Sequence, residues 1–250
     1  MSDKALLIIN IGEHDSAIYS RPLMKLYCKK YGIDLVELTE PRILLQGDDA
    51  SYQYRIFEKF QIYDVLNKYE RVLRVDTDVL ISPTAPDVFN CVPSDCFGVV
   101  YEDCGGRAEQ RYSQMEIVAK SYAAAPWGTR RYFNSGVIVA SHMHRDVFKL
   151  NEQDREIIMH GQLGGCKEQN LCNWKVRQSG CHLHELEFRF NHMSMFSGRW
   201  NGSPHRLDSF FIHHAGSQKR KPHRMQRDSR ILGRAWHSKT ARLPWWSKFL

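Results

Sequence analysis

Residues 71–78 read RVLRVDTD, a short apolar run that ends in two aspartates. The run 71–75 is mainly apolar, with Val72, Leu73 and Val75, and predicts a buried strand, after which Asp76-Thr77-Asp78 follows directly. Carboxylates two residues apart at a strand end can face the same side, so they can act on one cation. Oxygen ligands so placed suit Mg²⁺ or Mn²⁺. The alternative is a polar strand end with two solvated acids.

The residues on both sides of this run alternate between strand-like and helix-like patterns. Predicted strands cover 5–10, 33–38, 96–101, 136–140, 182–188 and 210–213. Predicted helices cover 20–31, 52–66, 110–122, 146–160 and 169–177. This alternation predicts an α/β fold with a mostly parallel central sheet flanked by helices. Ligands of such sheets bind beyond the carboxyl ends of the strands, where Asp76 and Asp78 are expected.

The composition of the 250 residues is that of a globular chain, with 42% hydrophobic and 25% charged residues. Its net charge of +7 comes from residues 219–250, which contain ten Lys or Arg and one acid. We therefore expect one domain over 1–218 and a basic, Trp-containing extension over 219–250. Two interpretations of this extension remain open. It could contact an anionic membrane surface, or it could pack Trp236, Trp245 and Trp246 on the domain.

The sequence also predicts a cytoplasmic location, with a peripheral membrane contact through 219–250 as the variant. The apolar run 5–9 is too short for the core of a signal peptide. The seven cysteines are odd in number and form no CxxC pair, which is typical of reduced thiols.

Several motifs occur in a defined order. They are KF at 59–60 with YERVLRVDTD at 69–78, YFNSGV at 132–137, EQNLCN at 168–173, FN at 190–191, and HHAG at 213–216 followed by KRKP at 219–222. Together they resemble the glycogenin-like and bacterial galactosyltransferase-like enzymes, the family 8 type of glycosyltransferase. The resemblance implies a GT-A fold, which is a Rossmann-like nucleotide-binding architecture. It also implies transfer of a sugar from a nucleotide diphosphate donor, with UDP favoured, to a glycan, protein or lipid-linked acceptor.

The resemblance implies a metal site made by Asp76, Asp78 and His213. His213 rather than His214 preserves the spacing to Gly216. An imidazole added to carboxylates suits Mn²⁺ somewhat better than Mg²⁺. The alternative is that both histidines are ordinary residues of a last strand.

The resemblance further implies a set of donor-binding residues. They are Asn10, Ile11, Gly12, Lys59, Asp76, Thr77, Asn134, Ser135, Gly136, Gly216 and Lys219. Residues 10–12 would meet the base and ribose, and residues 134–136 would lie under the donor sugar. Lys59 would face the phosphate or ribose, or be a solvated helix lysine. Lys219 fits the spacing for a diphosphate contact and Lys221 fits the Lys-Pro dipeptide, so both remain candidates.

Two catalytic arrangements are compatible with the motifs. Glu168 and Gln169 occupy the positions of the Asp and Gln that the resembled retaining enzymes carry. Glu102 or Asp103, after the predicted strand 96–101, could instead serve as the base of an inverting enzyme. The motifs leave the stereochemistry of transfer open.

Three other functions compete with this interpretation. A haloacid-dehalogenase-like phosphatase would need a Thr at position 80, which is Leu80. A nucleic-acid-binding protein is suggested by the pI of about 9.0, but residues 1–218 contain 25 of the 35 basic and 27 of the 28 acidic residues and no nucleic-acid module, so no nucleic acid is expected as partner. The third is a GT-A protein that binds nucleotide sugars without turnover.

Overall fold

The computed structural model describes residues 2–12, 15–43, 55–128, 131–160, 162–196, 206–216 and 221–238. The strands in these ranges are β1 (Lys4–Ile9), β2 (Asp34–Leu38), β3 (Arg71–Val75), β4 (Val79–Ile81), β5 (Cys96–Tyr101), β6 (Phe133–Ser141), β7 (His182–Glu185) and β8 (Phe211–His213). The α-helices are α1 (Asp15–Tyr31), α2 (Ile62–Leu66), α3 (Ala108–Ser121), α4 (Glu152–Met159), α5 (Lys167–Ser179) and α6 (Lys221–His237). No helix among the described residues is both long and apolar enough to cross a bilayer.

Six strands form the central sheet in the order β2-β1-β3-β6-β5-β7. β1 is parallel to β2 and β3, β6 is antiparallel to β3 and β5, and β7 is parallel to β5. Five of the six strands therefore run in one direction, with β6 reversed. The predicted α/β fold with a mostly parallel sheet is confirmed.

Apolar layers cover both faces of this sheet. Successive residues of a strand point to opposite faces, and in β1 Leu7 joins one apolar cluster while Leu6 and Ile8 join the other. In β3, Val72 and Leu73 divide in the same way. Burial on both faces explains why β1 reads as a continuous apolar run instead of an alternating one.

The helix predicted over 146–160 is interrupted in the structure. A 3₁₀ helix occupies His142–Phe148, and α4 begins only at Glu152. Asn151 caps α4 because its side chain accepts from the Asp154 backbone N–H, and the Asp154 carboxylate accepts from the Asn151 backbone N–H. The predicted helix over 52–66 is likewise a 3₁₀ helix at Ile56–Gln61 followed by α2, and residues 52–54 lie outside the described ranges.

Helix α6 begins inside the basic C-terminal region and packs on the domain. Its Met225 and Leu232 are buried with Leu23 of α1 and Leu80 of β4. The Trp236 Nε1–H donates to the Ile81 carbonyl at 3.1 Å. The expected boundary at residue 218, as well as Trp245 and Trp246, lies outside the described residues. The membrane contact remains a prediction.

Candidate metal centre

Asp76 and Asp78 follow the carboxyl end of β3, and His213 is the last residue of β8. β4 begins directly after Asp78 and pairs with β8 so that Val79 lies opposite His213. The His214 backbone N–H also donates to the Asp78 carbonyl at 3.0 Å. This pairing places one ligand atom each from Asp76, Asp78 and His213 within 4.8 Å of one another. We call these three residues the metal cluster.

The donor set of the metal cluster fits a divalent cation. Two carboxylates and one imidazole nitrogen are ligands of Mn²⁺ and Mg²⁺. His213 Nε2 lies 3.2 Å from Asp78 Oδ1, and its Nδ1 lies 2.8 Å from Asn191 Oδ1. A histidine held at one ring nitrogen presents the other nitrogen in a fixed direction, which is how proteins orient metal ligands.

Gly136 makes room for the His213 ring. A Cβ atom at position 136 would lie 2.3 Å from His213 Cε1 and 2.8 Å from its Nδ1. The Gly136 carbonyl also accepts from the Asp76 backbone N–H at 2.8 Å. The glycine expected beneath a donor sugar is therefore required here for close approach of the imidazole.

Lysine side chains neutralise the two aspartates. Lys59 Nζ lies 2.8 and 2.9 Å from the two Asp76 oxygens, and Lys221 Nζ lies 2.6 Å from Asp78 Oδ2. Burial alone would raise the pKa of Asp76, but Lys59 and Arg74 outweigh it and hold the pKa low. Burial acts on Asp78 in the same direction, and the His213 ring and Lys221 hold the pKa of Asp78 far below its ordinary value. Both carboxylates are therefore in the form that binds a cation.

A cavity of about 170 Å³ opens beside the metal cluster. Its lining includes Ile11, Arg55, Lys59, Arg74, Asp76, Thr77, Asp78 and Lys221. Sequence reasoning missed Arg55 and Arg74. Arg55 lies one helical turn before Lys59, a spacing that could have revealed it. Arg74 is a cation within a predicted buried strand, which is a second signal in the sequence because buried charges need a partner, and in the structure it is only 2% exposed. The cavity is consequently basic around its two carboxylates.

Of residues 10–12, Ile11 lines the cavity, whereas Asn10 is hydrogen-bonded to Glu37 of β2. Asn10 is buried, its side-chain Nδ2–H donates to Glu37 Oε1 at 2.9 Å, and it does not line the cavity. Ile11 lines the cavity, and Gly12 has a positive φ of 83° next to the Arg55 guanidinium. The predicted contact of Asn10 with base or ribose stays a prediction, and of the three residues Ile11 is the one that lines the cavity.

The two lysine candidates differ in what the structure describes. Lys219 lies outside the described residues, whereas Lys221 contacts Asp78 and donates to the Gly216 carbonyl at 3.3 Å. Of the two, Lys221 is the one that the structure places at the metal cluster.

The Asn134 amide is fully used within the protein. Its Nδ2 donates to Glu102 Oε2 at 2.8 Å and to Gln169 Oε1 at 3.0 Å. Its Oδ1 accepts from the Gly136 backbone N–H at 2.8 Å and from Asn191 Nδ2 at 3.0 Å. An amide has four hydrogen-bonding positions, so none remains for a sugar hydroxyl. The predicted position of Asn134 under the donor sugar stays a prediction, and the hydrogen bonds show that its side chain is held by the protein.

Gln169 is saturated in the same way. Its Nε2 donates to Glu102 Oε1 and to Tyr132 Oη, both at 2.9 Å. Its Oε1 accepts from Asn134 Nδ2 and from the Ser135 backbone N–H, both at 3.0 Å. The predicted catalytic role of Gln169 stays a prediction, and in this structure every polar position of its side chain has a protein partner.

Glu168 is linked to the metal cluster through Lys59. Its Oε2 accepts from Ser135 Oγ at 2.9 Å and lies 3.3 Å from Lys59 Nζ. Lys59 in turn contacts Asp76. Glu168 is therefore connected to the metal cluster through one shared ammonium group.

The two alternative base candidates have different surroundings. Glu102 is 1% exposed and pairs with Arg111, whose Nε lies 2.5 Å from Glu102 Oε1. Asp103 is partly buried and accepts from Tyr112 Oη at 2.6 Å. Burial raises the pKa of Asp103, the direction that suits a general base. Burial and pairing leave Glu102 without access to an acceptor.

No protein-family model matches the chain, and no curated protein sequence matches it. Solved structures do match. A glycosyltransferase involved in glycosylation of the major capsid of PBCV-1 superposes with a TM-score of 0.55 at 14% identity, covering 88% of this chain and 99% of that one. The galactosyltransferase LgtC, crystallised with donor and acceptor sugar analogues, gives 0.54 at 12% identity over 98% and 100%.

The bifunctional glycosyltransferase WbbM also superposes, with a TM-score of 0.55 at 14% identity. The match covers 87% of this chain and 46% of WbbM. The chain has the fold of the GT-A glycosyltransferases. The GT-A fold implied by the sequence motifs is thereby confirmed.

Proposed function

We propose that this GT-A protein is a metal-dependent glycosyltransferase that uses a nucleotide diphosphate sugar as donor. The observation that carries the proposal is the convergence of Asp76, Asp78 and His213 beyond the carboxyl end of β3, where Asp76 and Asp78 also line a basic cavity. Ligands of open α/β sheets bind at that edge. UDP as the nucleotide is favoured by the resemblance of the motifs to galactosyltransferase-like enzymes.

The metal cluster would hold Mn²⁺ or Mg²⁺. Such a cation supplies positive charge to a diphosphate leaving group when it is bound. His213 is suited to the task because Asn191 holds its Nδ1, and Gly136 leaves space for the ring. The cation would replace Lys59 and Lys221 as the partner of the two carboxylates, and the two ammonium groups would become available to phosphate oxygens.

The chain's own cations would then stabilise the departing diphosphate. Glycosyl transfer develops negative charge on the leaving group as the sugar becomes oxocarbenium-like. Lys59, Arg74 and Lys221 line the cavity and surround the aspartates. Fixed positive groups in a partly buried site stabilise developing charge without reorganisation.

A donor screen tests this proposal. The intact protein is incubated with Mn²⁺ and a panel of UDP-, GDP-, ADP- and CMP-linked sugars, and release of the free nucleotide is measured with and without EDTA. We expect slow, EDTA-sensitive hydrolysis of at least one UDP-sugar, because water can take the place of the acceptor when no acceptor is supplied. Asp146→Asn removes an exposed carboxylate and serves as the control that retains activity. Asp146 follows the end of β6, which lies opposite the start of β3 and therefore at the other end of the strands from Asp76.

The same screen separates the competing functions. Binding of UDP by calorimetry with no turnover of any donor would favour the protein that binds nucleotide sugars without catalysis. Absence of both nucleotide binding and turnover would contradict the glycosyltransferase proposal.

A further inference from the structure

Three buried side chains connect β5 and β6 to the metal cluster, and we call Glu102, Asn134 and Asn191 the amide relay. Their exposed fractions are 1%, 7% and 0%. Asn134 Nδ2 lies 2.8 Å from Glu102 Oε2, and Asn191 Nδ2 lies 3.0 Å from Asn134 Oδ1. Asn191 Oδ1 lies 2.8 Å from His213 Nδ1, so the relay ends at a candidate metal ligand.

The orientation of the Asn134 amide is set by two neighbours, one that can only donate a hydrogen bond and one that can only accept. The Gly136 backbone N–H can only donate, so the Asn134 atom that faces it at 2.8 Å must be the oxygen. The NH₂ group of Asn134 therefore faces Glu102, whose carboxylate only accepts and is paired with Arg111. Backbone and carboxylate agree on one orientation of the Asn134 amide.

The orientation of Asn134 determines that of Asn191. The Asn134 oxygen faces Asn191, so Asn191 must present its NH₂ group there. Its oxygen then faces His213 Nδ1, and an oxygen without hydrogen needs a donor opposite it. Each step follows from the step before, with the donors pointing toward Glu102.

We infer that the amide relay fixes the proton of His213 on Nδ1 and keeps Nε2 for the cation, with Glu102 as a positioning residue three hydrogen bonds away. The inference rests on the proposed function, because it gives Nε2 a metal to bind. His213 Nε2 faces Asp78 at 3.2 Å, on the side of the metal cluster. Outer hydrogen-bond partners of a metal-binding histidine set its tautomer and contribute about 10- to 100-fold to metal affinity.

Nitrogen-15 NMR of the histidine rings tests the inference directly. The full chain is labelled and measured alone and with Mg²⁺ plus UDP, and the His213 signals are assigned by their loss in His213→Asn. We expect a protonated Nδ1 in both states. An unprotonated Nδ1 in either state would overturn the inference.

Two relay variants give an independent readout through Mn²⁺ affinity, measured by electron paramagnetic resonance. Asn191→Leu removes the acceptor of the His213 proton, and we expect about 10- to 100-fold weaker Mn²⁺ binding and a mixture of His213 tautomers. Glu102→Gln keeps the shape but introduces an NH₂ group among the donors of Asn134 and Gln169. We expect Mn²⁺ binding that is weaker than in the wild type, but by less than in Asn191→Leu, from this smaller disturbance.

Asn173→Leu is the matched control. Asn173 is a buried amide whose partners are backbone groups of Phe133 and Gln169, so its loss lowers the melting temperature without touching the relay. We expect unchanged Mn²⁺ affinity and an unchanged His213 signal. Folded Glu102→Gln protein with wild-type affinity and tautomer would contradict the relay. Failure of the wild type to bind Mn²⁺ or UDP would instead contradict the proposed function. The two failures are distinguishable because the Nδ1 proton is also measured without either ligand.

Discussion

The end of β3 and the start of β6 are neighbours in the sheet, but they use their polar side chains in opposite ways. After β3, Asp76 and Asp78 are charged, partly exposed and line the cavity. In β6, Asn134 and Ser135 are neutral, buried and bonded to protein groups. The backbone joins the two regions through the Asp76 N–H and the Gly136 carbonyl.

This difference separates groups that can meet a ligand from groups that hold them in place. A charge beside a cavity remains able to exchange its protein partner for a cation or a phosphate. A buried amide with four satisfied hydrogen bonds cannot do so without leaving a partner unpaired, which costs about 1–3 kcal/mol. If the proposed function holds, we expect Asp76 and Asp78 after β3, the contact side, to meet the donor and its cation, and Asn134 and Ser135 of β6, the positioning side, to hold them in place.

The largest effect is expected at the contact side. Asp78→Asn removes a charge from the metal cluster while keeping the size of the side chain. Mn²⁺-dependent hydrolysis of a UDP-sugar should fall about a thousandfold, the range seen when one electrostatic group is lost from an active site. The measurement is the rate of UDP release at saturating Mn²⁺. A loss of less than about tenfold would show that Asp78 does not bind the cation.

A large effect on stability, in contrast, is expected at the positioning side. Gln169→Glu places a carboxylate 2.9 Å from Glu102 Oε1, where the wild-type amide donates. Two buried like charges should lower the free energy of unfolding by about 3 kcal/mol, as measured by urea denaturation. Glu168→Gln, at the neighbouring position beside Lys59, keeps the size of the side chain and brings no like charges together, so it should lower the free energy of unfolding by less. Equal stabilities of the two variants would remove the distinction between the residues.

The third prediction concerns the packing of Gly136 in β6 against the ring of His213 in the metal cluster. Gly136→Ala inserts a methyl group 2.3 Å from the His213 ring, so the ring must move. We expect about tenfold weaker Mn²⁺ binding and a loss of about 2 kcal/mol of stability. Gly106→Ala is the control, because a Cβ there meets no atom within 4 Å. Similar affinities for both alanine variants would argue against close packing at His213.

The smallest effect is expected at the rim of the cavity. Arg55→Ala removes one cation from the lining, and UDP affinity should fall about three- to tenfold at low salt and less at high salt. Calorimetry at two ionic strengths measures this change. Arg145→Ala, a partly exposed position away from the cavity, should leave UDP affinity unchanged. A salt-independent loss at Arg55 would contradict an electrostatic contribution.

The strands β3 and β5 and the position of the carboxylates Asp76 and Asp78 could be predicted from the local sequence. β3 and β5 match their predicted limits because each is a mainly apolar run that an acidic residue follows directly, Asp76 after β3 and Glu102 after β5. The position of Asp76 and Asp78 follows from β3. His213 came from motif spacing, and the β4–β8 pairing brings it to Asp78.

The state of the positioning side could not be predicted in this way. Whether Asn134 is free or saturated depends on Glu102, Gln169 and Asn191, which are distant in the chain. A motif places an amide near a site but does not report its hydrogen-bond partners. The break before α4 is a different case, since the capping residues Asn151 and Asp154 are visible in the sequence.

The most direct test of this account is a crystal structure of the intact protein with Mn²⁺ and UDP, using anomalous scattering to locate manganese. The account predicts one anomalous peak about 2 Å from a carboxylate oxygen of Asp76, one of Asp78 and the Nε2 atom of His213, with the diphosphate on the cavity side. Manganese bound elsewhere, or a diphosphate that binds with Lys59 and Lys221 still on the aspartates and no metal between them, would contradict it.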